Sequence, residues 1–175
     1  MADNVYKIVI SGPVGAGKTT FVQALSHERT FSVDENASED IGKEMTTIAM
    51  DYGVLKLGDN RFRLYGTPGQ ERFDFMWEIL SEGAVGLVLL IPAHRPDQFT
   101  KARAIYERLF SLFALTTVVG VTHCDVEKAW DIDAIGTFFD FSQDQMLRID
   151  PRESSSCYLL LQNLFSQIKK NQTKN

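Results

Sequence analysis

The chain has 175 residues, 44% of them hydrophobic, with 18 Lys plus Arg against 23 Asp plus Glu and a net charge of −5. That supplies a sizeable core for one domain and excludes a chain disordered throughout. The acidic balance argues against broad nucleic-acid binding, which needs a basic face, but leaves room for a phosphate ligand held by local donors.

The apolar run Val5-Tyr6-Lys7-Ile8-Val9-Ile10 predicts a central strand over residues 4–11. Gly12-Pro13-Val14-Gly15-Ala16-Gly17-Lys18-Thr19 follows, reading G-x-x-x-x-G-K-T, and a helix is predicted over 18–25, with Thr20 in its first turn. Strand, glycine loop and helix in that order make a phosphate-binding P-loop. Small residues let successive N–H groups face inward as a nest, and the helix start adds partial positive charge. Lys18 is placed to reach β- and γ-phosphate oxygens, and Thr19 to offer its hydroxyl to Mg2+.

Residues 26–46 are polar and weakly periodic, with Asp34, Glu35, Glu39, Asp40 and Glu44. So long a stretch without clear elements is either functional or a disordered insertion. Residues 48–57 and 61–65 are strand-like runs around Gly58-Asp59-Asn60, a signal for an antiparallel hairpin. Gly66-Thr67-Pro68-Gly69 breaks the chain before a helix predicted over about 69–81. In that helix Phe73, Met76, Trp77 and Leu80 form one stripe, read as core. Phe75 and Ile79 share another face among Glu71, Arg72, Glu78 and Glu82, which marks either a partner surface or two isolated hydrophobes.

Residues 84–91 are almost continuously apolar, as in a parallel strand covered on both faces. A helix is predicted from Pro96 to about residue 113, a strand over 116–121, a weaker helix near 131–141, a short strand over 145–149 and a closing helix over 153–170. The closing helix carries Cys157, Leu161, Leu164, Phe165 and Ile168 on one face. Alternating strands and helices give an α/β fold with a mostly parallel six-stranded sheet and one antiparallel strand. Ligands on such sheets sit at the carboxyl ends of the strands.

Cys124 and Cys157 are the only cysteines, with no metal-ligand spacing, which points to a reducing compartment. The N-terminus lacks a basic-apolar signal segment, residue 2 is alanine, and residues 171–175 offer no cysteine for prenylation. A soluble, cytoplasmic protein without a direct membrane anchor is expected.

Gly66-Thr67-Pro68-Gly69-Gln70-Glu71-Arg72-Phe73 is the second strong motif. A glycine can bring its N–H close to a γ-phosphate, and a glutamine beside it can orient an attacking water. With the P-loop, this run resembles the second switch of Ras-like small GTPases. The runs Thr46-Thr47-Ile48-Ala49-Met50-Asp51-Tyr52-Gly53 and 66–73 look most like the bacterial MglA-like group encoded beside roadblock-domain proteins. The resemblance covers the whole chain and implies a single three-layer P-loop G domain over residues 1–175. It implies GTP/GDP and Mg2+ as ligands, slow hydrolysis, and regulators and effectors at the switch segments, roadblock-domain proteins among the candidates. By position, Thr47 (or the adjacent Thr46) matches the Mg2+-binding threonine of the first switch. Gly69 matches the γ-phosphate-sensing glycine and Gln70 the catalytic glutamine. Thr122-His123-Cys124-Asp125 matches the base-reading motif. A carboxylate at Asp125 accepts from the N1–H and exocyclic amine of guanine, a donor pair that adenine lacks; the alternative is a helix N-cap.

Four departures stand out. Gly66 replaces the aspartate that normally supports Mg2+ through water, and nothing in the sequence identifies a substitute. His123 replaces the lysine whose stem covers the base. Val14 stands where many relatives have glycine and crowds the transition state. In Ile149-Asp150-Pro151-Arg152 a proline, with no N–H, falls where a backbone donor normally reads the guanine carbonyl, and Arg152 either packs on the base or lies on the surface. A GTP-hydrolysing switch leads the readings, with a non-hydrolysing scaffold, an ATP-preferring switch and a small-molecule kinase as alternatives.

Overall fold

The structure, a computed structural model, describes residues 4–28, 31–32, 51–69 and 74–173. β1 (Asn4–Ser11) leads through the P-loop into α1 (Lys18–Leu25), and β2 (Phe31–Ser32) is a two-residue edge strand. β3 (Asp51–Leu57) and β4 (Asn60–Gly66) form the hairpin. Then come α2 (Asp74–Ser81), β5 (Gly86–Pro92), α3 (Phe99–Phe113), β6 (Thr117–Thr122), α4 (Ile132–Phe139), β7 (Met146–Arg148) and α5 (Ser154–Gln172).

The strands form one sheet in the order β2-β3-β4-β1-β5-β6-β7. β3 is antiparallel to both neighbours, and every other pairing is parallel. This is the three-layer α/β P-loop fold of small G proteins. The six predicted strands are present, and the seventh, β2, is too short to carry a pattern.

Alternation along the central strands sends side chains to two cores. Ile8, Ile10, Val88 and Leu90 pack with α1 and α5, while Val9, Leu87, Leu89 and Ile91 pack with α3, α4 and Trp77 of α2. All of β5 is buried, as its continuous apolar run requires. Met76, Trp77 and Leu80 are buried as read from the helical stripe, whereas Phe75 and Ile79 are 46% and 55% exposed. α5 buries Leu160 as well as the predicted Cys157, Leu161 and Leu164, with Phe165 and Ile168 packed at the edge of the cluster.

Several boundaries shift from the sequence reading. Asn60 belongs to β4, so the hairpin turn is Gly58-Asp59 alone, with Gly58 at φ 58° and Leu57 paired to Asn60. Gln145 ends a 3-10 turn, capped by a box between Ser142 and Gln145, before β7 begins at Met146. The helix after the second switch motif is described from Asp74, and its predicted beginning over 70–73 lies outside the described residues.

Candidate functional site

The P-loop sits at the carboxyl end of β1. Its glycines Gly12, Gly15 and Gly17 take positive φ, and the Ala16 N–H donates to Pro13 O at 3.2 Å. Val14 and Gly15 are exposed at the tip, whereas Gly12, Pro13 and Ala16 are buried. Thr19 and Thr20 open α1 on its exposed side. Lys18 is only 8% exposed, and its Nζ donates to Gly12 O and Pro13 O at 2.7 Å each. Burial pulls its ammonium down to about 8, partly countered by the charge of Asp51.

The turn after β4 is pinned on three sides. Thr67 N–H donates to Ile10 O at 2.9 Å, its hydroxyl meets that of Ser11 at 2.8 Å, and the Trp77 indole N–H donates to Pro68 O at 2.9 Å. A trans peptide points its carbonyl and its N–H in opposite directions. Anchoring Pro68 O on Trp77 therefore turns the Gly69 N–H away from α2. Gly69 lies so close to the P-loop that a Cβ there would fall 2.6 Å from Val14 N and 3.0 Å from Lys18 Nζ. The helical stripe places Trp77 in the core, and it is buried there; its second task as an anchor for this turn has no signal in the sequence.

Gly66 reveals the missing carboxylate. Asp51 is its cross-strand partner on β3. A Cβ on Gly66 would lie 2.9 Å from Asp51 Cβ and 3.1 Å from Asp51 Oδ2. The same Oδ2 accepts the Thr19 hydroxyl at 2.6 Å. A carboxylate thus stands beside the P-loop hydroxyl, in the space a side chain at residue 66 would otherwise take. The donor set fits Mg2+, a hard cation that takes one or two carboxylate or hydroxyl oxygens and completes its shell with phosphate and water. Among the described residues no cluster of three or more His, Cys, Asp or Glu forms a separate metal site. Thr47, Thr46 and Gln70 lie outside the described residues.

The other half of the cleft is a cavity of about 520 Å3, lined by Gly17, Thr20, residues 123–126, Arg148 at the end of β7 and the loop Ile149 to Arg152. Thr122, fully buried at the end of β6, donates its hydroxyl to Ala16 O at 2.9 Å and ties this half to the P-loop. That hydroxyl has one proton, so at its 3.0 Å contact with His123 it accepts, and His123 carries its proton on Nδ1. His123 sits at φ 56° with its ring 4.4 Å from that of His94. Burial, then the neighbouring His94, lowers its pKa below the ordinary histidine value. Asp125 caps no helix: α4 is capped by Asp131, which accepts from Asp133 N–H at 2.9 Å. Arg152 lines the cavity and is paired with Asp150 at 2.7 Å and with Asp125 at 3.4 Å. Thus the P-loop, Gly69, Thr122, His123, Asp125 and Arg152 converge on one end of the sheet, as their positions after strands require.

Among known proteins, an uncharacterized protein of Methanocaldococcus jannaschii is 33% identical over 98 residues, which cover 54% of this chain and 56% of its own length. The chain therefore spans little more than half of that relative. ADP-ribosylation factor-related protein 1 of Rattus norvegicus is 27% identical over 137 residues, 77% of this chain and 67% of its own. Ras-related protein Rab-18-B of Danio rerio is 32% identical over 95 residues, 54% of this chain and 43% of its own. Such relatives support the Ras-like superfamily, without supporting its narrower MglA-like branch. Among the described residues no helix is long and apolar enough to cross a membrane. A family profile described as "conserved hypothetical ATP binding protein" matches residues 29–170, which takes in the switch-like turn and the base-side loops but not the P-loop. With most of its length inside that match, the chain belongs to this family.

Proposed function

We propose that the chain is a nucleotide-dependent switch, a single G domain over residues 1–175 that binds GTP and GDP with Mg2+ and hydrolyses GTP slowly. The observation that carries this reading is the apposition of Gly69 to Val14 N and Lys18 Nζ. It sets a backbone amide of the second switch motif beside the cation that would hold the terminal phosphates, so that loss of the γ-phosphate is felt by the segment leading into α2.

In this reading the P-loop amides and Lys18 hold the phosphate chain, and Gln70 orients the attacking water. Thr19 and Thr47 ligate Mg2+, and Asp51 replaces the usual second-switch aspartate. When bound, the metal neutralises charge developing on the phosphate oxygens. Asp125 reads the base. Regulators or effectors dock on the switch segments and on the exposed Phe75 and Ile79 of α2, in a cytoplasmic setting without nucleic acid. Kinship with MglA-like GTPases, and roadblock-domain proteins as partners, rests on the runs 46–53 and 66–73 and belongs to the same proposal.

A second reading, an ATP-dependent switch on the same phosphate site, is favoured by the family's description as ATP binding. Calorimetry of GTP, GDP, ATP and ADP on nucleotide-stripped protein, with and without Mg2+, separates the two. Guanine nucleotides should bind much more tightly, and Gln70→Ala should abolish phosphate release from GTP while leaving affinity unchanged. Equal or tighter ATP binding would replace the first reading by the second, and absent release in the wild type would leave a non-hydrolysing scaffold.

A further inference from the structure

The loop after β7 has no main-chain donor left for a base. Ile149 N–H donates to Val121 O at 2.9 Å, and Asp150 N–H to Ser156 Oγ at 3.0 Å. Arg152 N–H donates to Asp150 Oδ1 at 2.9 Å, Glu153 N–H donates to Asp150 O at 3.0 Å, and Pro151 has no N–H. Whatever reads the position-6 substituent of a purine from this side is therefore a side chain.

Arg152 is built for that task. Asp150 grips its guanidinium with Nε to Oδ1 at 2.9 Å and Nη2 to Oδ2 at 2.7 Å. Nη2 also lies 3.4 Å from Asp125 Oδ2, and Nη1 has no hydrogen-bond partner among the described residues. The planar fork is thus held in one orientation at the wall of the cavity shared with Gly17 and Thr20. Donor and acceptor stand side by side: a guanidinium N–H, then the two carboxylate oxygens of Asp125. The edge of a 6-oxopurine with a 2-amine presents the complement, an acceptor at position 6 and donors at N1 and the amine. Adenine presents a donor at position 6 and an acceptor at N1, so it meets a like partner at both.

We propose that Arg152 is the residue that selects an oxygen at purine position 6, taking over from the backbone N–H that Pro151 removes. Asp150 acts through it as a positioning residue. The proposal rests on Asp125 reading the neighbouring N1–H, and so deepens the guanine reading above.

The test is calorimetry on nucleotide-stripped protein with GDP, inosine diphosphate (6-oxo, no 2-amine), the diphosphate of 2-aminopurine riboside (2-amine, no 6-oxo) and ADP. Arg152→Ala should weaken GDP and inosine diphosphate by about tenfold each and leave the 2-aminopurine nucleotide unchanged, as loss of one charge-assisted hydrogen bond demands. Asp150→Asn should weaken the same two ligands by a smaller factor. An equal loss on all three would make Arg152 a general electrostatic contact, and an undiminished preference for GDP in Arg152→Ala would overturn the proposal while the guanine reading stood. Wild-type protein binding ADP as tightly as GDP would overturn the guanine reading itself, and this proposal with it. Arg152 lies on the surface, so unchanged thermal melting of its variant serves as the folding control.

Discussion

The two halves of the cleft are made of different material. The phosphate half is built from backbone and buried groups: Lys18 is 8% exposed, Thr67 2%, and the turn over 66–69 is bonded to β1 and α2. The base half is built from charged side chains in water, with Asp125 and Arg152 exposed by 70% and 69%. An exposed ion pair contributes about 0–1 kcal/mol, whereas an unpartnered buried carbonyl costs about 1–3 kcal/mol. The phosphate half is therefore insensitive to small surface changes, while base choice rests on contacts that a single substitution redirects.

Substitutions in the phosphate half sharpen this contrast most. Asp51→Asn keeps the volume but removes the charge beside Thr19, and should raise the Mg2+ concentration needed for tight nucleotide binding by about 10–100-fold. An unaltered Mg2+ titration would show that Asp51 does not stand in for the missing aspartate. Trp77→Phe keeps the ring packing but leaves Pro68 O without its donor, and should cost about 1–3 kcal/mol in a urea melt. It should also weaken GTP relative to GDP, because the Gly69 amide is no longer held; a melt shifted without that change would leave Trp77 as core alone.

The pH dependence belongs to Lys18. Its pKa of about 8 lies below the ordinary lysine value, so the unliganded site loses its cation above pH 8. A phosphate chain favours the charged form and raises that pKa, so binding takes up a proton and affinity falls as pH rises: about fivefold between pH 8 and pH 9. Calorimetry in buffers of different ionisation enthalpy would detect the uptake. The smallest effect is at Phe75, 46% exposed. Phe75→Ala should change stability by less than about 0.5 kcal/mol and leave nucleotide binding unaltered, while weakening capture of a regulator. A larger loss of stability would make Phe75 part of the core.

Local features were legible in the sequence. The P-loop needs only contiguous residues, and so does the buried β5. The amphipathic stripe of α2 separates Met76, Trp77 and Leu80 from Phe75 and Ile79 by period alone. What escaped depends on register or on shared side chains. Asp51 stands fifteen positions from Gly66, and the two meet because the hairpin turn has two residues. Reading Gly58-Asp59-Asn60 as the turn shifts the pairing and hides the substitute; the two-residue Gly58-Asp59 turn, once accepted, finds it by counting. The Arg152–Asp150–Asp125 chain spans two loops joined only through the sheet, and no spacing rule reports it. The Trp77 anchor on Pro68 was hidden because an indole in an apolar stripe reads as packing.

Hairpin tips are usually where a chain tolerates insertions and deletions. The tip at Gly58-Asp59 does not have that freedom. Each added or lost residue slides β3 along β4, and side chains on a strand change faces with every step. A one-residue change at the tip would carry Asp51 off its place opposite Gly66, about 20 Å away along the strand. The length of an exposed turn is thereby tied to the identity of the residue at the far end of the hairpin. A homologue with an aspartate restored at position 66 would be released from the tie, so turn length and residue 66 should vary together across relatives.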